Sequence, residues 1–492
     1  MVGGSQLIRM AIGIVSTKFA ALFIGTVGVG LLGAYQSISQ LGIQLAGLGI
    51  NQSGVREVAV SEGSGDREAI SKTVVILRRM CWLTGIVGTI VMFLLAAPIS
   101  SLTFGNTEHV FDLFLLSTAI LITSVSQGQL AVLQGRRRIA DLVRVQIIGA
   151  IAGAISSIIL YATLSIKGIA FAVLATAIFN LLASWYVVQQ LAMKAVPISW
   201  RETFTGAKEL LRLGIAFMIT GLATTFTVYA ARIIIVRSIS VEALGMYQAA
   251  YAISAYVLNF VLGAMGADFY PRLVGVSNNH KEMVRLVNEQ TEIGLLLATP
   301  VVVVLVGLAP LLIIMLYSAE FVPAVALLRW FIMGCFLRVI AWPMGFVMLA
   351  KGSKYWYFAS EILFNILHIV FILIGISWFG LEGAAIAFFA MYVLYVFAVR
   401  FIVSRLIEFS WSTDAFRLIG IQVLSVISVF IVTICCSNFW SMTIGTVLFF
   451  FMEIYCLRQL LLRLDSGHKL NRIALKLRLV SVSLFYNKVF AL

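Results

Sequence analysis

The stretch RRRIADLVRVQIIGAIAGAISSIILYATLSIKGIAFAVLATAIFNLLASWYVV, residues 136–188, decides the fold. It opens on three arginines, runs through an apolar segment at 142–163, turns at Lys167-Gly168, and enters a second apolar segment at 168–192. A helix needs about 20 mainly apolar residues to cross a bilayer, so the two read as consecutive spans. The pattern recurs along the chain, from 7–29 and 31–55 to 416–437 and 440–462, giving about fourteen stretches. The composition agrees: 61% of the residues are hydrophobic and the mean hydropathy is +1.04, far outside soluble-protein usage. An all-α integral membrane protein of about fourteen transmembrane helices is expected.

Charge sets the orientation. Of the 35 Lys and Arg residues, all but Lys18, Lys167, Arg232, Arg237, Arg329 and Arg338 fall in one alternating set of segments between the apolar runs. Positive charge collects on the cytoplasmic side, so both termini are expected there. The net charge of +14 then reflects topology and anionic headgroups. An aromatic-interleaved basic patch is absent, so nucleic acid is not an expected partner. The five cysteines, Cys81, Cys335, Cys435, Cys436 and Cys456, sit in apolar runs without metal-ligand spacing and read as small hydrophobes. No Ser/His/Asp or HExxH arrangement appears, and neither a metal nor an organic cofactor is expected. The chain does not read as an enzyme.

Three markers repeat in order. Gly33-Ala34-Tyr35-Gln36 matches Gly245-Met246-Tyr247-Gln248; Gln134-Gly135-Arg136 matches Lys351-Gly352-Ser353; Lys167-Gly168-Ile169-Ala170 matches Glu382-Gly383-Ala384-Ala385. The offsets agree within five residues, and each marker ends or opens corresponding spans. Two copies six helices apart enter the membrane in the same direction, as a parallel repeat about an axis along the membrane normal. The expected domains are an N-lobe at 1–193 (helices 1–6), a C-lobe at 203–405 (helices 7–12), two further helices at 414–462 and a basic cytoplasmic tail at 463–492. In that tail Leu470, Ile473, Leu477 and Val480 offer an apolar stripe, so an interfacial helix and a solvated tail are both open.

Gly28-Val29-Gly30-Leu31-Leu32-Gly33 satisfies the dinucleotide-binding pattern, but that motif needs a strand before it and a helix after it. Between two spans it reads as a tight turn. The cations inside spans are more informative. A cation at mid-membrane costs at least ~2.5–3.5 kcal/mol on insertion scales, so it faces a cavity or a partner. Lys18 and Arg232 precede Tyr35 and Tyr247 by nearly the same distance, Arg338 lies near the middle of its span, and Arg56 stands at a cytoplasmic mouth. These four are the candidate anion-binding residues. For Arg56 an ordinary topology signal is the alternative; for the others, neutralisation by Glu292, Glu361 or Glu453. By depth along the spans, Glu361 reads as far from Arg232. Gln36, Asn51, Asn259 and Asn365 are candidate polar cavity residues, with Gln40 and Asn180 among other polar groups in the spans. Asp112 and Asp141, near opposite membrane faces, are the carboxylates of the first six spans. Cations without deep carboxylates point to an anionic cargo, and phosphate suits Lys and Arg.

Gly25-Thr26-Val27-Gly28-Val29-Gly30-Leu31, Phe104-Gly105-Asn106-Thr107, and the segment from Arg338 through Lys351 to Tyr355 resemble the Wzx-type polysaccharide flippases of the multidrug/oligosaccharidyl-lipid/polysaccharide exporter superfamily. The members most similar flip O-antigen or enterobacterial-common-antigen units. The resemblance spans most of residues 5–405; Thr26 stands where the family's outer turn has proline. It implies two six-helix MATE-like lobes and a bacterial inner-membrane location. It also implies alternating-access transfer of an undecaprenyl-pyrophosphate-linked oligosaccharide, with membrane lipids and a polymerase or ligase as partners. Coupling to a proton or sodium gradient stays open. The alternatives are a MATE-type drug or cation antiporter and a flippase for peptidoglycan lipid II. From other classes, a non-transporting scaffold or an integral glycosyltransferase remain.

Overall fold

The computed structural model describes residues 2–191, 196–436 and 438–463. Lys194 and the tail from 464, including the expected interfacial stripe, lie outside the described residues. The described residues form α-helices throughout: α1 (Val2–Ala46), α2 (Ile50–Gly63), α3 (Arg67–Leu94), α4 (Ala96–Phe104), α5 (Val110–Gly135), α6 (Ile139–Leu164), α7 (Ile169–Gln189) and α8 (Trp200–Ser238). There follow α9 (Val241–Gly275), α10 (His280–Gly307), α11 (Ala309–Leu316), α12 (Ala324–Ala350), α13 (Lys354–Phe379), α14 (Leu381–Ile407), α15 (Thr413–Cys435) and α16 (Asn438–Arg463). Among these residues ten helical stretches are long and apolar enough to cross a membrane, or eleven with the bent pair Trp200–Ile219 and Gly221–Ser238 taken as one span. Two of the stretches hold two legs each. Ile139–Gln189 contains α6, a 3-10 turn at Ser165–Gly168, and α7.

The other is α1, and it corrects the expected turn at Gly28–Gly33. Residues 13–20 and 32–43 line the same cavity, although thirty residues of straight helix would separate their ends by about 45 Å. The chain therefore doubles back, and the reversal falls at Gly25, whose φ of 61° and ψ of −166° interrupt the helix. A side chain is strained in that conformation, and glycine is not. Gly28, Gly30 and Gly33 lie within the second leg and serve close packing instead. That leg ends at Ala46 and α2 begins after Gly49 (φ 65°), so the expected span 31–55 is two helical pieces.

Polar caps set the other boundaries. Ser199 and Glu202 form a reciprocal capping box at the start of α8, leaving two otherwise orphaned N–H groups satisfied. That starts the helix at Trp200, well before the expected 212. Asp66 accepts from Glu68 N at 2.8 Å to open α3, and Ser412 from Ala415 N at 3.0 Å to open α15.

The chain divides into two compact units. The first comprises 1–256, 311–331 and 355–391. One of its cores gathers Ile50, Val58, Leu77, Val132, Val188 and Ala207 from α2, α3, α5, α7 and α8. At the end of the unit opposite Arg136–Arg138, Tyr35 donates to Asp112 and lies 2.9 Å from His109 Nδ1, fastening the second leg of α1 to the start of α5. The second unit comprises 257–310, 332–354 and 392–492. There α10 packs against α15 and α16; a Cβ at Gly445 would stand 2.9 Å from Gly307 Cα, a close approach typical of membrane helices. Asn288 accepts from Ser412 N at 2.9 Å and donates to Ser410 O at 3.1 Å, holding the α14–α15 connection.

Candidate functional site

The site lies in the first unit, where α1, α7 and α8 enclose a polar cavity of about 450 Å³. Gln36, Ser37, Ser39 and Gln40 face it from α1; Thr224, Thr225 and Arg232 face it from α8. A second cavity of about 440 Å³ shares Gln36, Ser39 and Val173 with the first, and adds Ser16, Thr17, Ser157, Thr176, Asn180 and Tyr256. These volumes are those of small-molecule sites, and hydroxyls and amides are the groups that match sugar hydroxyls.

Arg232 supplies the charge. Its side chain is 7% exposed. Nη1 donates to Gly33 O at 2.6 Å and Nη2 to Gln248 Oε1 at 2.9 Å. The guanidinium thus bridges the two copies of the Gly-x-Tyr-Gln marker, taking Gly33 from one and Gln248 from the other. Its Nε is buried with no hydrogen-bond partner among the described residues. A buried donor left unpaired is unfavourable by about 1–3 kcal/mol.

The remaining candidates are dispersed. Lys18 is not among the residues lining these two cavities. Its Nζ donates to two backbone carbonyls, Ile314 O at 3.0 Å and Tyr317 O at 2.5 Å. Those carbonyls belong to the end of α11, where backbone acceptors lack intrahelical partners and the helix dipole is negative. Lys18→Met keeps the stem and removes the donors; it is expected to lower the unfolding midpoint of the detergent-solubilised protein, through the loss of roughly 2 kcal/mol or more, with Lys18→Arg near wild type. Equal midpoints for all three proteins would remove the structural role.

Arg56 is exposed on α2 and pairs with Glu57 at 3.2 Å. Asn51 donates to Gln127 Oε1, a bond between helices. Arg338 belongs to the second unit, with its guanidinium 5.9 Å from the Tyr392 ring. Asn259 lies on α9, and its side chain is outside the described set. Asn365 donates to Glu361 O at 2.8 Å.

Glu361 reaches the same wall at a distance from Arg232 along α8. Thr224, which lines the Arg232 cavity, donates to Glu361 Oε1 at 3.0 Å. α8 begins twelve residues before the expected 212 and bends by 42° between Ile219 and Gly221.

A multi-pass helical protein with a cation-backed polar cavity has the architecture of a membrane transporter, and solved structures share the fold. The lipid II flippase MurJ in its inward closed conformation superposes with a TM-score of 0.67 at 13% identity, over 93% of this chain and 97% of that one. An inward-facing multidrug resistance MATE family transporter of the MOP superfamily gives 0.62 at 15% identity, over 82% and 99%. The polysaccharide biosynthesis protein family matches residues 14–326, well over half of the chain, and the chain belongs to that family. It is 25% identical over 398 residues to the lipid III flippases of Escherichia coli (strain K12) and Shigella flexneri, an alignment covering 80% of this chain and 94% of each relative.

Proposed function

We propose that the protein flips undecaprenyl-pyrophosphate-linked oligosaccharide units, such as O-antigen repeat units, from the cytoplasmic to the periplasmic leaflet of the bacterial inner membrane. The observation that carries this reading is the Arg232 cavity: a buried cation with an unsatisfied donor, walled by hydroxyls and amides, in a chain of the polysaccharide biosynthesis family. Lipid III flippase relatives support a lipid-linked glycan as cargo. No bond of the cargo changes, so the work is transport.

In this reading the lobes 1–193 and 203–405 alternate access, with helices 414–462 and the tail 463–492 beside them, and both termini cytoplasmic. Arg232 holds phosphate, Lys18 steadies the bundle, and Arg56 and Arg338 draw the headgroup inward. The delivered unit passes to a polymerase or ligase. Coupling to a proton or sodium gradient stays open; Glu361 is a carboxylate hydrogen-bonded to the cavity wall.

The test is a deletion strain, with lipid-linked glycans measured by mass spectrometry. Accumulation of an undecaprenyl-pyrophosphate-linked oligosaccharide is the expected result. Accumulation of the peptidoglycan precursor instead would transfer the assignment to lipid II. Loss of cationic-dye efflux without glycan accumulation would replace it with drug export.

A further inference from the structure

The turn between α4 and α5 brings an imidazole, a phenol and a carboxylate together. Tyr35, on the second leg of α1, is 1% exposed. Its hydroxyl donates to Asp112 Oδ2 and stands 2.9 Å from His109 Nδ1. That Nδ1 is also 3.6 Å from Asp112 Oδ2. A phenol has a single hydrogen, and here the carboxylate receives it, so Nδ1 donates to the phenol oxygen. The network thus places a proton on Nδ1.

Local structure holds the three groups in place. Phe104, the last residue of α4, sets its ring 4.1 Å from that of His109 and meets the Tyr35 ring edge-on at 6.1 Å. Gly105 turns the chain with a φ of 84°, and Ser100 Oγ donates to Asn106 O at 2.8 Å. His109 directly precedes α5, and Asp112 lies in the first turn of that helix, where negative charge is favoured.

Protons can reach the cluster, because the side chains of His109 and Asp112 are 19% and 27% exposed. Two other charges stand on the turn. The Glu108 carboxylate lies 3.4 Å from Asn106 Nδ2, and Nη1 of Arg237, from α8, fills the space that a Cβ at Gly105 would take. α3 and α7 bring Phe93 and Phe171 against Phe114 and Phe111 of α5, and these are uncharged.

An imidazole takes up its second proton between about pH 8 and pH 5. Neutral, His109 gives Tyr35 an ordinary hydrogen bond. Protonated, it keeps that bond and sets a positive charge beside Asp112, which strengthens the contact. The fastening is therefore strongest at the acid end of this range and weakens as the pH rises through it.

What is fastened is a wall of the polar cavities. Gln36, next to Tyr35, faces both of them. Gly33, two residues before Tyr35, accepts from Arg232. The second leg of α1 is thus held by Arg232 at Gly33 and by the His109–Asp112 pair at Tyr35.

We propose that His109, Tyr35 and Asp112 form a proton-binding latch. Protonation of His109 holds the second leg of α1 against α5, and loss of that proton frees the leg and its Gln36 face to move. The inference goes beyond the flippase reading and does not depend on the cargo.

The full chain in nanodiscs tests it, with thermal midpoints measured at about pH 8 and about pH 5.5, where carboxylates stay ionised. His109→Asn keeps an N–H near the place of Nδ1 and cannot take the charge. Asp112→Asn keeps an acceptor for Tyr35 and removes the carboxylate. The wild-type midpoint, taken relative to His109→Asn, is expected to rise on going to the lower pH. That rise should vanish when the same comparison is made in the Asp112→Asn background. Only the change with pH is read, so a constant offset from altered capping of α5 cancels.

The second measurement labels Gln36→Cys, in a background with the five native cysteines replaced, by a membrane-impermeant thiol reagent from the side opposite Arg136–Arg138. At each pH the rate is divided by that of the same protein carrying His109→Asn, which cancels the titration of the thiol. The quotient is expected to fall at least about fivefold between the higher and the lower pH, the added worth of charge in one hydrogen bond. A midpoint difference that is the same at both pH values overturns the latch. So does a pH-dependent midpoint with a flat labelling quotient, because the pair then fastens the fold without reaching the cavity. Either result leaves the flippase reading intact, and a deletion strain without glycan accumulation would remove that reading and leave the latch.

Discussion

Arg232→Ala is expected to abolish glycan export and also to reduce the amount of folded protein. The two effects share one cause. The guanidinium satisfies Gly33 O and Gln248 Oε1 in a setting where its side chain is 7% exposed. Truncation removes the charged donor shared by both acceptors and opens a void beside the cavity. Removing one partner from a buried, charged hydrogen-bond set is destabilising by roughly 3–5 kcal/mol, a large fraction of a marginal stability. Lysine is a poor substitute: one ammonium on a flexible stem replaces a planar fork that reaches two acceptors in fixed directions. Arg232→Lys should therefore fold better than the alanine variant yet transport poorly. Gln36→Leu separates the two roles. Gln36 is exposed in both cavities, so its loss should lower export with little change in the unfolding midpoint. Surface polysaccharide, protein abundance and thermal midpoint, measured together, decide the matter. Wild-type export from Arg232→Ala would end Arg232's assignment.

How far the sequence led depends on which groups carried the signal. The membrane class was legible because apolar runs and basic clusters are properties of side chains. Arg232 was legible as a cation needing a partner. The partners themselves were not. Lys18 and Arg232 both donate to backbone carbonyls, at Ile314, Tyr317 and Gly33, and a carbonyl has no sequence signature. The reversal at Gly25 was hidden for a similar reason: four glycines between 25 and 33 look alike in sequence, and only backbone torsion tells which one turns. Asn51 pairs with Gln127, showing that a polar residue in a span can be a helix-to-helix bond as readily as a ligand group.

Gly245→Val is expected to hold the transporter open at the end of the bundle opposite Arg136–Arg138, and to stop export by that route. The second leg of α1 and the start of α9 cross there backbone to backbone. A Cβ at Gly245 would run into the Thr26 carbonyl oxygen and stand 3.2 Å from Gly30 N; one at Gly30 would run into the Val241 carbonyl oxygen. Neither obstacle is the end of a flexible side chain, so the helices themselves must part. Overpacking of this kind is destabilising by typically ~1–3 kcal/mol, and it acts on whichever state contains the crossing. If alternating access separates these helices, the penalty falls on the closed state alone and shifts the population toward the open one by tenfold or more, at about 1.4 kcal/mol per decade. The readout is Gln36→Cys in a background with the five native cysteines replaced, labelled by a membrane-impermeant thiol reagent from that side. Labelling should accelerate about tenfold in Gly245→Val, while export falls. Gly263→Val is the control, because a Cβ there meets nothing within 4 Å among the described residues; it should label at the background rate. Unchanged labelling in a folded Gly245→Val protein would mean that the crossing stays shut throughout the transport cycle, and that access to the Arg232 cavity is governed elsewhere.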